Sequence, residues 1–132
     1  VAMVTLDQQR AVLAHTHVSQ VADLAEGSRK KYASIVHALP VLLRSAGLSQ
    51  ALHFVASRPD EDQRRLLDHL AAQLGRADAQ VKDAGSLLHR ARQADLAAYL
   101  RLTGEALACS AWYRRMVQGV LRIEAGATDV SD

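Results

Sequence analysis

Apolar positions recur every three or four residues along most of the chain, and strand-like alternation never lasts more than a few residues. Ala, Leu, Arg and Gln, all good helix formers, dominate. The pattern predicts an all-α fold: a compact single-domain helical bundle over residues 1–132, with about five to six helices and a long C-terminal helix. Its densest apolar stretch, Tyr32 to Ser57, is broken only by Leu39-Pro40 and Gly47. It reads as two buried helices folded back on each other, with Leu39, Leu43, Leu48, Leu52 and Phe54 in the core and Gly47 at positive φ.

Capping chemistry sets the expected boundaries. Thr5 with Gln8 has the form of a capping box and starts a helix expected to reach Glu26 and stop at Gly27. Leu6, Leu13, Val18, Val21 and Ala25 would make its core face. Ser28 can cap a second helix through Leu39, and Pro40 either kinks it or opens the next segment. Gly47 closes that segment and Ser49 caps another. Arg58-Pro59-Asp60 marks a break, after which Asp60 with Gln63 starts a helix ending at Leu74-Gly75. Residues 76–85 read as a loop with little function. A short helix from Ser86 to Ala94 follows, then a long one capped by Asp95 and running to Ala125, with 126–132 a frayed tail.

The last helix sorts into three stripes. Leu96, Tyr99, Leu100, Thr103, Leu107, Val117 and Leu121 are expected to face the core. Arg101, Arg115 and Arg122 share the side turned away from it. Cys109, Trp112, Met116 and Ile123 form a second apolar surface between the two. A helix apolar on two sides is central in its bundle or presents one side to another protein. Trp112 fits packing within the bundle first and a subunit contact second, with Met116 beside it.

Charge narrows the picture. A net charge of +2 falls short of the strong basicity of a free-standing nucleic-acid binder. The row of arginines therefore becomes decisive only in a channel that partners complete. Arg29, Lys30 and Lys31 open a helix where the dipole disfavours cations, so solvation or a phosphate backbone is the expected reason for them. A single cysteine, no apolar run of membrane-spanning length and no signal-peptide pattern lead to the expectation of a cytoplasmic protein without membrane contact.

No catalytic constellation emerges. The six histidines form no HExxH, and His15 and His17 point about 200° apart on a helix. There is no phosphate-binding glycine loop and no nucleophile elbow. Cys109 lies among apolar neighbours and reads as core. The expectation is a non-enzyme with no catalytic residues, no cofactor and no metal.

Two blocks then carry a resemblance. Tyr32, Leu39-Pro40, Arg44, Gly47-Leu48, Gln50, Ala51-Leu52 and Phe54 form the first. Tyr99, Arg101, Thr103, Glu105-Ala106-Leu107, Trp112 and Arg114-Arg115 form the second. Together they resemble the small all-helical subunit of the type III-B CRISPR effector, the Cmr complex. The resemblance implies a scaffold that is monomeric alone and stacks in a few copies, contacting its own copies, the backbone RAMP-type subunit and the large subunit. It implies partners in guide RNA and target RNA, with Arg101, Arg115 and Arg122, and then Arg114, Lys30 and Lys31, against phosphates. Trp112 and Met116 would serve a subunit interface. The alternative is a small helix-turn-helix-type DNA-binding regulator turning at Gly47. It fits less well, because His53 falls where that motif wants an apolar residue and the second helix carries no Arg or Lys.

Overall fold

A computed structural model describes residues 3–58 and 60–126 as six α-helices without a strand. They are α1 (Leu6–Val21), α2 (Glu26–Ala46), α3 (Leu48–Ala56), α4 (Glu61–Leu74), α5 (Ala84–Gln93) and α6 (Leu96–Met116), the last running on into a π turn, Val117–Leu121. The all-α bundle with a long final helix is therefore present. Most of the expected tail, residues 127–132, lies outside the described residues.

The core grows around α6, which packs against α1, α2 and α4. Its buried face is Ala98, Leu102, Ala106, Cys109, Tyr113 and Val117. This corrects the expected core stripe. Leu96 and Leu100 are 73% and 60% exposed, and the true face is rotated from the expected one by roughly one residue, about 100°. Alanines at 98 and 106 explain the shift, because their small side chains let neighbouring helices come close while the large leucines stay outside. The expected second apolar surface is part of the bundle. Cys109 is fully buried, while Trp112, Met116 and Ile123 are half-buried against the core.

Tyr32, Val36, Leu39 and Leu43 line the buried side of α2, and Leu48, Ala51, Leu52 and Val55 that of α3. Phe54 is 47% exposed, contrary to expectation, because it falls off the arc those four positions define. Gly47 is the sole residue between the two helices and takes φ 87°. Ser49 is not the cap. It lies inside α3, and its N–H donates to the Tyr99 hydroxyl oxygen at 3.1 Å. A tyrosine fifty residues downstream thus does the capping.

Other boundaries move for visible reasons. The Thr5 capping box forms as expected, but α1 ends at Val21, where Asp23 and Leu24 tighten into short-range bonds to Gln20 and Val21. The Arg29 guanidinium donates to the freed Leu24 carbonyl, and α2 begins at Glu26 with Gly27 and Ser28 inside its first turn. Leu6 and Ala25 are exposed and Leu13 is half-buried, so Ala14, Val18 and Val21 carry the α1 core. Pro40 stays within one continuous α2, at the cost of a backbone hydrogen bond. Asp83 and Ser86 make a reciprocal cap, which starts α5 two residues before the expected Ser86.

Candidate nucleic-acid interface

The outer side of α6 carries Arg101, Arg114, Arg115 and, beyond the π turn, Arg122, all exposed. None of the four takes part in a salt bridge among the described residues. They are not one patch. Arg101 and Arg115 stand fourteen residues apart, roughly 21 Å along the helix. Arg101 lies toward Asp78 on the loop before α5. Burial would raise that carboxyl, but hydrogen bonds from Arg90 and the Gln80 amide, with the charges of Arg90 and Arg101, hold it below its ordinary value. Arg122 has left-handed backbone, φ 60°, a conformation that costs a non-glycine residue about 1 kcal/mol.

Lys30 and Lys31 already have protein partners. Lys30 pairs with Glu26 at 3.8 Å and Lys31 with Asp60 at 3.5 Å, while Arg29 serves the Leu24 carbonyl. Each member of the basic triplet at the start of α2 thus has a partner within the chain.

Arg114 and Arg115 are brought together with a residue outside the expected set. A groove of about 310 Å³ runs between α2 and α6. Pro40, Leu107 and Ser110 form its floor, and Arg44, Arg114 and Arg115 stand along it. Ala111 and Ser110 are small enough to leave it open, and the Ser110 hydroxyl is spent on the Leu107 carbonyl at 2.9 Å. Gln118 closes one end, its amide donating to Glu124 at 3.3 Å. Among the described residues no carboxylate lines the groove. Arg44 also makes no salt bridge among them.

Beneath this surface a buried polar cluster fixes α6 against α1, α2 and α4. The His17 and His69 rings stack with centroids 4.0 Å apart and 5° from parallel. The Tyr113 hydroxyl meets His17 Nδ1 at 2.6 Å, and the Tyr32 hydroxyl meets His69 Nδ1 at 2.7 Å. The Gln73 amide donates to the Arg10 carbonyl and the Tyr113 hydroxyl. Burial lowers His17 to about 4; burial, then the charges of His17 and Arg65, lower His69 to about 3. Both rings are neutral at pH 7. Beside them Arg10 grips Glu105 through Nε and Nη2, at 2.8 and 2.7 Å. That bidentate bond holds the Glu105 carboxyl below its ordinary value against the effect of burial.

Sequence reasoning misses this cluster when the histidines are read as surface or semi-buried residues that cannot form a metal site. The available signal is positional: His69 and Gln73 fall within the stripe Leu66, Leu70, Leu74, where a buried polar group demands a partner.

Trp112 donates its indole N–H to Asp7 at 2.9 Å, tying α6 to α1. Part of its ring, and part of Met116, remains exposed. Cys109 is buried; burial and then the nearby Glu105 charge push its thiol far up. Among the described residues, no three His, Cys, Asp or Glu side chains gather as metal ligands, and no helix is long and apolar enough to cross a membrane.

Comparison with known proteins gives concordant results. The profile of the family described as "CRISPR-associated protein (Cas_Cmr5)" matches residues 6–120. The "CRISPR system Cmr subunit Cmr5" of Thermus thermophilus is 41% identical over 111 residues, covering 83% of this chain and 93% of the relative. The crystal structure of a CRISPR-associated Cmr5 family protein, also from Thermus thermophilus, superposes with a TM-score of 0.80 at 42% identity, covering 90% of this chain and 99% of that one. Neither the family match nor these relatives support the helix-turn-helix alternative.

Proposed function

The chain belongs to the Cmr5 family, the small-subunit family of the type III-B CRISPR Cmr complex, and from that premise we propose that it acts as a non-catalytic building block which helps hold paired guide and target RNA. Copies stack along the effector beside the backbone and large subunits, in the cytoplasm, while the chain alone is a monomer. The observation that carries the RNA reading is the set of exposed arginines on the outer side of α6 that form no salt bridge among the described residues. A guide-programmed complex must accept any sequence, so its scaffold should read phosphates and leave base edges alone. Guanidinium groups suit that task.

Of the six basic candidates, Arg101, Arg114, Arg115 and Arg122 fit this role better than Lys30 and Lys31, whose ammonium groups are already paired. Stacking requires two different surfaces on each copy, a heterologous arrangement whose length other subunits must limit. The outer edges of Trp112 and Met116 are the proposed part of one such surface. The raised Cys109 thiol and the neutral, inward-facing His17 and His69 support a subunit without chemistry of its own.

Reconstituting the effector with Arg101→Ala, Arg115→Ala and Arg122→Ala tests the reading. Target capture should weaken about equally for unrelated guides, and the salt slope should fall by roughly 0.7 to 0.9 for each phosphate that is no longer neutralised. Unchanged salt dependence overturns the RNA role. A variant that no longer enters the complex assigns these arginines to a subunit interface.

A further inference from the structure

We propose that the groove between α2 and α6 is a clamp for the phosphodiester backbone of RNA, with Arg44 as its third guanidinium beside Arg114 and Arg115. The inference rests on the RNA-holding role above and assigns it to one place, including a residue on a different helix from the others. Arg44 sits in the last turn of α2, three residues before the Gly47 hinge. Pro40, one turn earlier, contributes to the groove floor, and Ser110 and Ala111 on α6 keep the opposite wall low. Two helices thereby present three cations to one concave space of about 310 Å³.

The lining decides the ligand class. Three like charges line one groove, so an anion entering it is attracted by all three. Arginine forks match phosphate oxygens in pairs, and three guanidinium groups spread over two helices suit successive phosphates of a chain better than a single ion. Among the described residues no aromatic side chain lines it, although buried aromatic anchors are the usual mark of a protein-binding surface. No aromatic platform for base stacking lines the groove, and its cations meet phosphates, so the contact is to the backbone and independent of sequence.

Arg44→Gln, and Arg44→Gln with Arg114→Gln and Arg115→Gln, in the assembled effector test the proposal, with labelled target RNA titrated across a range of salt. All three side chains are exposed, so incorporation and melting temperature should stay at the parent values. The single variant should lower the log–log salt slope by roughly 0.7 to 0.9, and the triple variant by two to three times that amount. Photo-crosslinks from 4-thiouridine-substituted target should map to the α2 peptide bearing Arg44 and weaken in the triple variant.

A second pair, Arg101→Ala with Arg122→Ala, separates the two readings. If that pair reduces capture while the groove variants leave slope and crosslinks unchanged, the clamp is overturned and the wider RNA role stands. If neither set changes capture, both fall. If the groove variants fold but fail to enter the complex, the groove receives an acidic protein surface, and the clamp is overturned.

Discussion

His17 and His69 lie ring on ring, 4.0 Å between centroids, each with a tyrosine hydroxyl on its Nδ1. Two imidazoles this close and this buried are held together as neutral rings, since charging both would set like charges face to face. Above about pH 6.5 both are neutral folded and unfolded, and the stack carries no protonation cost. As pH falls, the unfolded chain takes up protons near its ordinary histidine value that the folded chain refuses until about 4 at His17 and about 3 at His69. Stability should therefore fall with pH through this window. The limiting slope is about 1.4 kcal/mol per pH unit for each ring, less for His17 because solvent reaches part of it. Urea midpoints at about pH 7.5, 6 and 5 check this, and His69→Gln should flatten the dependence. Equal midpoints at all three values would refute it.

Removing one side of the Arg10–Glu105 pair should be costly. Glu105 is 8% exposed and also accepts from the Cys109 thiol at 3.3 Å. Glu105→Ala leaves a partly buried guanidinium with only the exposed Asp7 as its carboxylate partner and should destabilise by about 3 kcal/mol, whereas Glu105→Gln, which keeps one acceptor, should cost less. Denaturant unfolding at neutral pH ranks the two variants, and the reverse order would contradict the pairing.

Gly47→Ala should destabilise by about 1 to 2 kcal/mol through backbone strain alone. The added Cβ would meet the Tyr99 hydroxyl at an ordinary 3.5 Å, so the positive φ is the obstacle. Tyr99→Phe should cost about 1 kcal/mol by leaving the Ser49 N–H without its acceptor. Thermal melts report both, and a Gly47→Ala protein that melts at or above the parent temperature contradicts the hinge.

The register of α6 has its own test. Leu102→Ala should cost about 2 to 5 kcal/mol, while Leu100→Ser, on the exposed side, should stay within about 0.5 kcal/mol. Comparable losses would return Leu100 to the core.

What is local is most legible in the sequence. Thr5 with Gln8, Asp60 and Asp95 each start a helix where their side chains can reach the first free amides. What depends on distant partners is hidden. Leu96 and Leu100 look like core until Ala98 and Ala106 are seen against neighbouring helices. Lys30 and Lys31 look free until Glu26 and Asp60 are in place. Arg44 stands out only as one position of a motif, because nothing in the chain reveals that the end of α2 comes to lie beside Arg114. The family resemblance is legible for another reason: Leu39-Pro40, Gly47-Leu48 and Trp112 occupy positions set by the fold as a whole.

The contacts of α1 reach across nearly the whole chain: Arg10 to Glu105, Asp7 to Trp112 and His17 to Tyr113 are 95, 105 and 96 residues apart. During synthesis on the ribosome the first helix must therefore wait for its partners on α6 until the last helix has emerged. Contacts this remote in sequence slow folding and hold back the final bundle until late in translation. A nascent chain lacking α6 has neither Arg114 nor Arg115 for the groove and no docked α1. A prematurely terminated product thus lacks the helix around which the core is built.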